Sequence, residues 1–104
     1  MTKFSVLLSN TASKQLDYLE KQIREKIRSD LRMLEEDPFR PRPKVDIKKL
    51  QKISKRQFYR LRSGNYRAVY YIEGTLVKVT KIFPEVKVTN GLTEPTYTLI
   101  SVTF

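Results

Sequence analysis

The long helical stripe of this chain gives way to strand patterning at Asp37-Pro38, and that change sets the kind of element on either side. Before it, Leu16, Leu19, Ile23, Ile27, Leu31 and Leu34 recur three or four residues apart among charged residues, the apolar stripe of an amphipathic helix. The residue preceding a proline is pushed out of helical geometry, so the stripe stops there. A single helix of about 25 residues would be roughly 38 Å long. A domain of this length is only about 33 Å across. A bend into two antiparallel helices is therefore expected near Glu20 to Ile23, although no Gly or Pro marks it. Upstream, Phe4, Val6 and Leu8 alternate with other residues as in a strand, and Asn10 or Thr11 is placed to cap the first helix.

Downstream the pattern becomes one of linkers and strands. Arg40-Pro41-Arg42-Pro43 reads as an extended linker, because each proline fixes its own φ and biases its predecessor. Val45, Ile47, Leu50 and Ile53 suggest a short turn packed on a sheet. Strands are expected at about 57–63, 66–73 and 75–83, with Glu73-Gly74 supplying a tight hairpin turn. The whole is an α+β fold in one domain, residues 1–104: an N-terminal strand, a helical hairpin and an antiparallel β-meander, with the helices on one face of the sheet.

The open face of that sheet is where the chemistry gathers. In Tyr59-Arg60-Leu61-Arg62-Ser63-Gly64-Asn65-Tyr66-Arg67, strand alternation points Arg60 and Arg62 the same way and Leu61 the other. Arg67 begins the neighbouring strand and can join them. Guanidiniums held on a rigid surface suit a polyanion such as nucleic-acid phosphate. The simpler alternative is an exposed face whose arginines protect a sheet edge. Charge distribution favours the first. Lys and Arg total 21 against 11 Asp and Glu, and between Lys44 and Arg67 nine positive charges face only Asp46. With no Cys and no His, disulfides, thiolate metal sites and the usual neutral-pH base are excluded. No metal or other cofactor is implied. The absence of Cys leads to the expectation of an intracellular, cytoplasmic protein, and the run Val6-Leu7-Leu8 is too short to cross a membrane or act as a signal.

The block Tyr59–Tyr71, and Asp46-Ile47-Lys48-Lys49-Leu50 before it, resemble the RelE/ParE toxin superfamily over roughly residues 3–84, with archaeal and bacterial RelE-type toxins most similar. The resemblance implies the toxin of a type II toxin–antitoxin system, a ribosome-dependent messenger-RNA endonuclease that inhibits translation. Its partners would be a RelB-like antitoxin, the ribosome and messenger RNA. Such enzymes need no histidine, because the RNA's own 2′-hydroxyl attacks the adjacent phosphate. Residue by residue, Arg67 matches the arginine that stabilises the phosphate. Arg60 and Arg62 fall where related toxins carry alternating Lys or Arg against the RNA backbone. Lys48, Lys49, Lys52, Lys55 and Arg56 would grip RNA phosphates. For any single lysine a solvated surface charge is the competing reading.

The C-terminus departs from that family. RelE-type toxins place an arginine and a tyrosine after the last core strand, whereas here Glu85 stands near the arginine's place. The ending Thr96–Phe104 is uncharged and β-rich, and Tyr97 is a distant substitute for the tyrosine. A ParE-like toxin acting on DNA gyrase, and a degenerate homologue that only binds antitoxin or RNA, therefore remain open beside the nuclease.

Overall fold

In the computed structural model, which describes residues 3–85, the expected N-terminal strand, two helices and three later strands are present, with one further strand between them. Strand β1 is Ser5–Leu8, helix α1 Asn10–Asp17, helix α2 Lys21–Arg32, with a 3-10 turn at Met33–Glu35. Strands β2 (Asp46–Ile53), β3 (Arg56–Ser63), β4 (Tyr66–Glu73) and β5 (Leu76–Pro84) complete it. The sheet order is β1-β5-β4-β3-β2, with β2 to β5 an antiparallel meander and β1 added parallel to β5. The expected tail, Tyr97 included, lies outside the described residues.

The helical stripe divides as its length requires, but at Tyr18 to Glu20, slightly ahead of the expected place. Leu19 sends its amide back to the Leu16 carbonyl at 3.1 Å and receives the Arg24 guanidinium on its own carbonyl at 3.0 Å. Glu20 then takes an extended ψ of 153° before α2 begins. A side chain from the next turn thus satisfies the backbone that a glycine would otherwise free. The cap of α1 is Ser9, one residue earlier than expected. Its hydroxyl accepts from the Ala12 amide at 3.0 Å and donates to the Thr80 carbonyl at 2.9 Å, so one side chain both caps the helix and fastens it to β5.

Both helices lie on one face of the sheet. Ala12, Leu16, Ile27, Leu31 and Leu34 pack against Ile47, Leu61, Ala68, Tyr70, Val77, Val79 and Ile82 in a single core. Alternation along β5 slips between Val79 and Ile82 because a bulge at Thr80 interrupts its pairing with β4. There the Thr80 hydroxyl donates to the Val69 carbonyl at 3.1 Å, and Gln15 of α1 accepts the Ile82 amide at 2.7 Å. Ser63 donates to Asp30 at 2.6 Å, which ties the end of β3 to α2.

Residues 46–53, expected as a turn, form the edge strand β2 instead. A bulge between Lys49 and Lys52 shifts its register, so Ile47, Leu50 and Ile53 recur every three residues and hide the period of two. The expected linker also closes into a tight turn, in which Arg42 and Val45 exchange backbone bonds at 2.8 and 3.0 Å around Pro43 and Lys44 (φ 69°). The β2–β3 turn is strained at two consecutive residues. Ser54 and Lys55 have φ of 52° and 66°, the left-handed geometry of a primed hairpin turn, without glycine or asparagine at either position. The double variant Ser54→Asn/Lys55→Gly is expected to gain about 1 kcal/mol. That would appear as a rise of roughly 4–8 °C in thermal midpoint.

Candidate functional site

Across the sheet face opposite the helices, strand pairing sets the basic side chains in rows. One row runs Asp46, Arg62, Arg67 and Phe83, each directly opposite the next; the adjacent row runs Lys48, Arg60, Val69 and Lys81. Arg60, Arg62 and Arg67 therefore share one face with Leu61 behind them in the core, as the alternation predicts. Lys48 joins them opposite Arg60.

The other expected contacts are scattered. Lys49 pairs with Tyr59 and Lys52 with Gln57, register positions of the helix side of β2. Lys55 sits in the strained turn. Arg56 shares the arginine face but lies four residues from Arg60, about 14 Å along the strand. Its guanidinium rests 4.0 Å over the Tyr71 ring and 3.7 Å from Glu73. That cation–π contact is one end of the face, not part of the cluster. Reading the sequence as a basic run joins residues that a bulge and a turn separate.

The three arginines sit at different depths. The Arg60 side chain is 10% exposed, that of Arg67 27% and that of Arg62 43%, a gradient from the sheet floor outwards. Arg60 reaches Asp46 at 3.3 Å, and its Nε is buried with no hydrogen-bond partner among the described residues. Burial, and next the charge of Arg67, hold the Arg60 guanidinium below the usual arginine range, with Asp46 acting in the opposite direction. Arg67 is 2.8 Å from one oxygen of Glu85, and Arg62 is 3.7 Å from the other. Glu85 is itself held by its amide, which donates to the Asn65 carbonyl at 2.7 Å across the β3–β4 turn.

Chemically, this is a cationic floor with two carboxylates on it. Guanidiniums bind phosphate in fixed fork geometry and stabilise charge that builds on it, but they do not exchange protons near neutrality. Lys81 is the member that sequence reasoning missed. A strict period of two from Leu76 places it with the core residues, and only the bulge at Thr80 brings it onto the face opposite Val69.

A desolvated cation with an unpartnered donor costs stability, so the site and the fold pull apart at Arg60. Arg60→Met, similar in volume and free of that burden, is expected to stabilise the protein by about 1 kcal/mol while weakening any anion binding. A urea midpoint below that of the unaltered protein would contradict this account.

The family model described as the ParE toxin of the type II toxin–antitoxin system parDE matches residues 6–85. Among solved structures, the archaeal RelE–RelB complex from Pyrococcus horikoshii OT3 is similar at 29% identity and a TM-score of 0.71, over 85% of this chain and 100% of that one. The RelB–RelE complex from Methanococcus jannaschii is 21% identical, with a TM-score of 0.62, over 94% and 98% of the two chains. The isolated E. coli RelE toxin is 20% identical, with a TM-score of 0.62, over 97% and 99%. At those lower identities the likeness is one of fold. No curated protein matches the chain.

Proposed function

The chain belongs to the ParE toxin family of type II toxin–antitoxin systems, and on that premise we propose that it is a RelE-type toxin that cleaves messenger RNA on the ribosome and is silenced by a RelB-like antitoxin. The observation that carries this reading is the Arg60, Arg62 and Arg67 cluster, rigidly placed on the open sheet face. The likeness to the Pyrococcus horikoshii RelE of the RelE–RelB complex supports it. The formal charge of +10 also suits an RNA substrate and an acidic partner.

The reaction asks for what this face supplies. The RNA 2′-oxygen forms a bond to the adjacent phosphorus as its proton leaves, and the bond to the 5′-oxygen breaks as that oxygen gains one. Arg67 and Arg62 would hold the phosphate oxygens, and Arg60 beneath them would add field to the extra charge of the phosphorane. Lys48, Lys81 and Asp46 stand around the arginines for the proton transfers that guanidiniums cannot perform.

A second reading, a ParE-like inhibitor of DNA gyrase, is favoured by the description of the matching family model. Primer extension on messenger RNA engaged with translating ribosomes tests the first reading, with a ribosome-free reaction and Arg67→Ala alongside. Cuts that require both the ribosome and Arg67 support the nuclease. Absence of cuts from folded protein, together with inhibition of gyrase supercoiling, would replace it with the second reading.

A further inference from the structure

Arg62 and Arg67 stand directly opposite each other on adjacent strands, where like charges repel. The Glu85 carboxylate lies between them, 2.8 Å from Arg67 and 3.7 Å from Arg62. Two oxygens presented to two guanidiniums is also how a phosphodiester would sit, because carboxylate and phosphate offer arginine the same paired acceptors. We infer that the Arg62–Arg67 pair is a phosphate seat occupied in the free toxin by Glu85, and that an RNA phosphate enters by exchange with this internal anion. The inference deepens the RNA-directed reading above and rests on it.

Two further features support exchange over a permanent ion pair. The first is incomplete satisfaction of Arg67. Its Nη2 meets Glu85, but its Nε is buried without a hydrogen-bond partner among the described residues. A phosphate, tetrahedral and richer in acceptors, can meet the Nε and Nη2 edge together in the bidentate geometry arginine prefers. The second is mechanical. The Glu85 backbone is fixed by its own amide on the Asn65 carbonyl, so displacement of the side chain would leave the end of β5 in place. Arg62, the most exposed of the three arginines, opens the seat to solvent. Glu85 thus limits the affinity of the face for polyanions until a correctly placed phosphate displaces it.

The test is fluorescence anisotropy of a short labelled single-stranded oligoribonucleotide, titrated without ribosomes at several salt concentrations. The full chain is compared with Glu85→Gln, Glu85→Ala, Arg67→Ala and the double variant Arg67→Ala/Glu85→Gln. Circular dichroism and melting show each to be folded. Glu85→Gln keeps the shape and removes the competing charge, so it is expected to bind about tenfold tighter at low salt. Its dependence of log affinity on log salt should steepen by roughly 0.7, one more phosphate contact to a single strand. Glu85→Ala should move the same way, and the gain should vanish in the double variant. Unchanged or weaker binding by both Glu85 variants, with Arg67→Ala impaired, overturns the seat and leaves the RNA reading standing. If Arg67→Ala binds as tightly as the unaltered protein, the RNA reading of this face fails as well.

Discussion

Arg67→Ala is expected to reduce ribosome-dependent cleavage by about 10²- to 10³-fold, the usual loss on removing one preorganised donor from a developing oxyanion. The magnitude follows from position. Arg67 is rigid on β4, opposite Arg62, and only partly exposed, so its charge acts with less screening than a surface cation's. Arg62 and Arg60 remain in the variant, which is why loss short of complete inactivity is expected. Arg67→Lys should recover a minor part of the rate, since a lysine restores the charge without the fork that spans two phosphate oxygens. Stability should also fall, because the mostly buried Glu85 carboxylate is then left with Arg62 at 3.7 Å. Single-turnover primer extension measures the rate. Equal rates for Arg67→Ala and the unaltered protein would remove Arg67 from the chemistry and with it the main support for a nuclease.

Much of this site is legible in the sequence because strand alternation is a short-range rule. Arg60 and Arg62 share a face as a matter of spacing, and the two-residue turn Gly64-Asn65 sets Arg67 opposite Arg62. What escapes is whatever depends on a register break or on distant residues. The β2 bulge between Lys49 and Lys52 disguises a strand as a turn and moves Lys52 off the arginine face, where alternation from Lys48 would have kept it. The β5 bulge hides Lys81, and no local rule foretells it, because Gln15 and Thr80 fill the gap it leaves in the ladder. The helix break is required by length, yet its place is set by a contact between Arg24 and Leu19. Glu85 stands out in the sequence only as an acid near the place of the arginine that the resemblance implies. Its role as a bridge between two arginines needs the end of β5 to reach the β3–β4 turn.

The largest stability effect is expected at Tyr70, on the helix side of the sheet behind that arginine face. Its side chain is fully buried, its ring stacks on Tyr59 at 5.7 Å, and its hydroxyl donates to the Pro38 carbonyl at 2.7 Å. Tyr59 continues through edge contacts to Phe39 and Phe4, each at 5.8 Å, so one aromatic ladder pins the segment after the helices to the middle of the sheet. Tyr70→Ala leaves a large void and is expected to cost about 3–5 kcal/mol, much of the stability of a small domain. Tyr70→Phe keeps the ring but strands a buried carbonyl, at a cost of about 1–3 kcal/mol. Urea denaturation measures both, and the two costs should differ by the contribution of the ring itself. The hydroxyl also gives a pH signature. Burial, with Tyr59 adding to it, pushes its ionisation well above the ordinary tyrosine value. Above about pH 10 the unfolded chain releases this proton while the folded chain keeps it, so the stability of the unaltered protein falls there. Tyr70→Phe has no such proton, so its deficit should be constant below about pH 10 and shrink above it. A deficit that does not narrow in alkali would mean that the Tyr70 hydroxyl ionises in the folded protein as it does in the unfolded chain, contrary to its burial against Pro38.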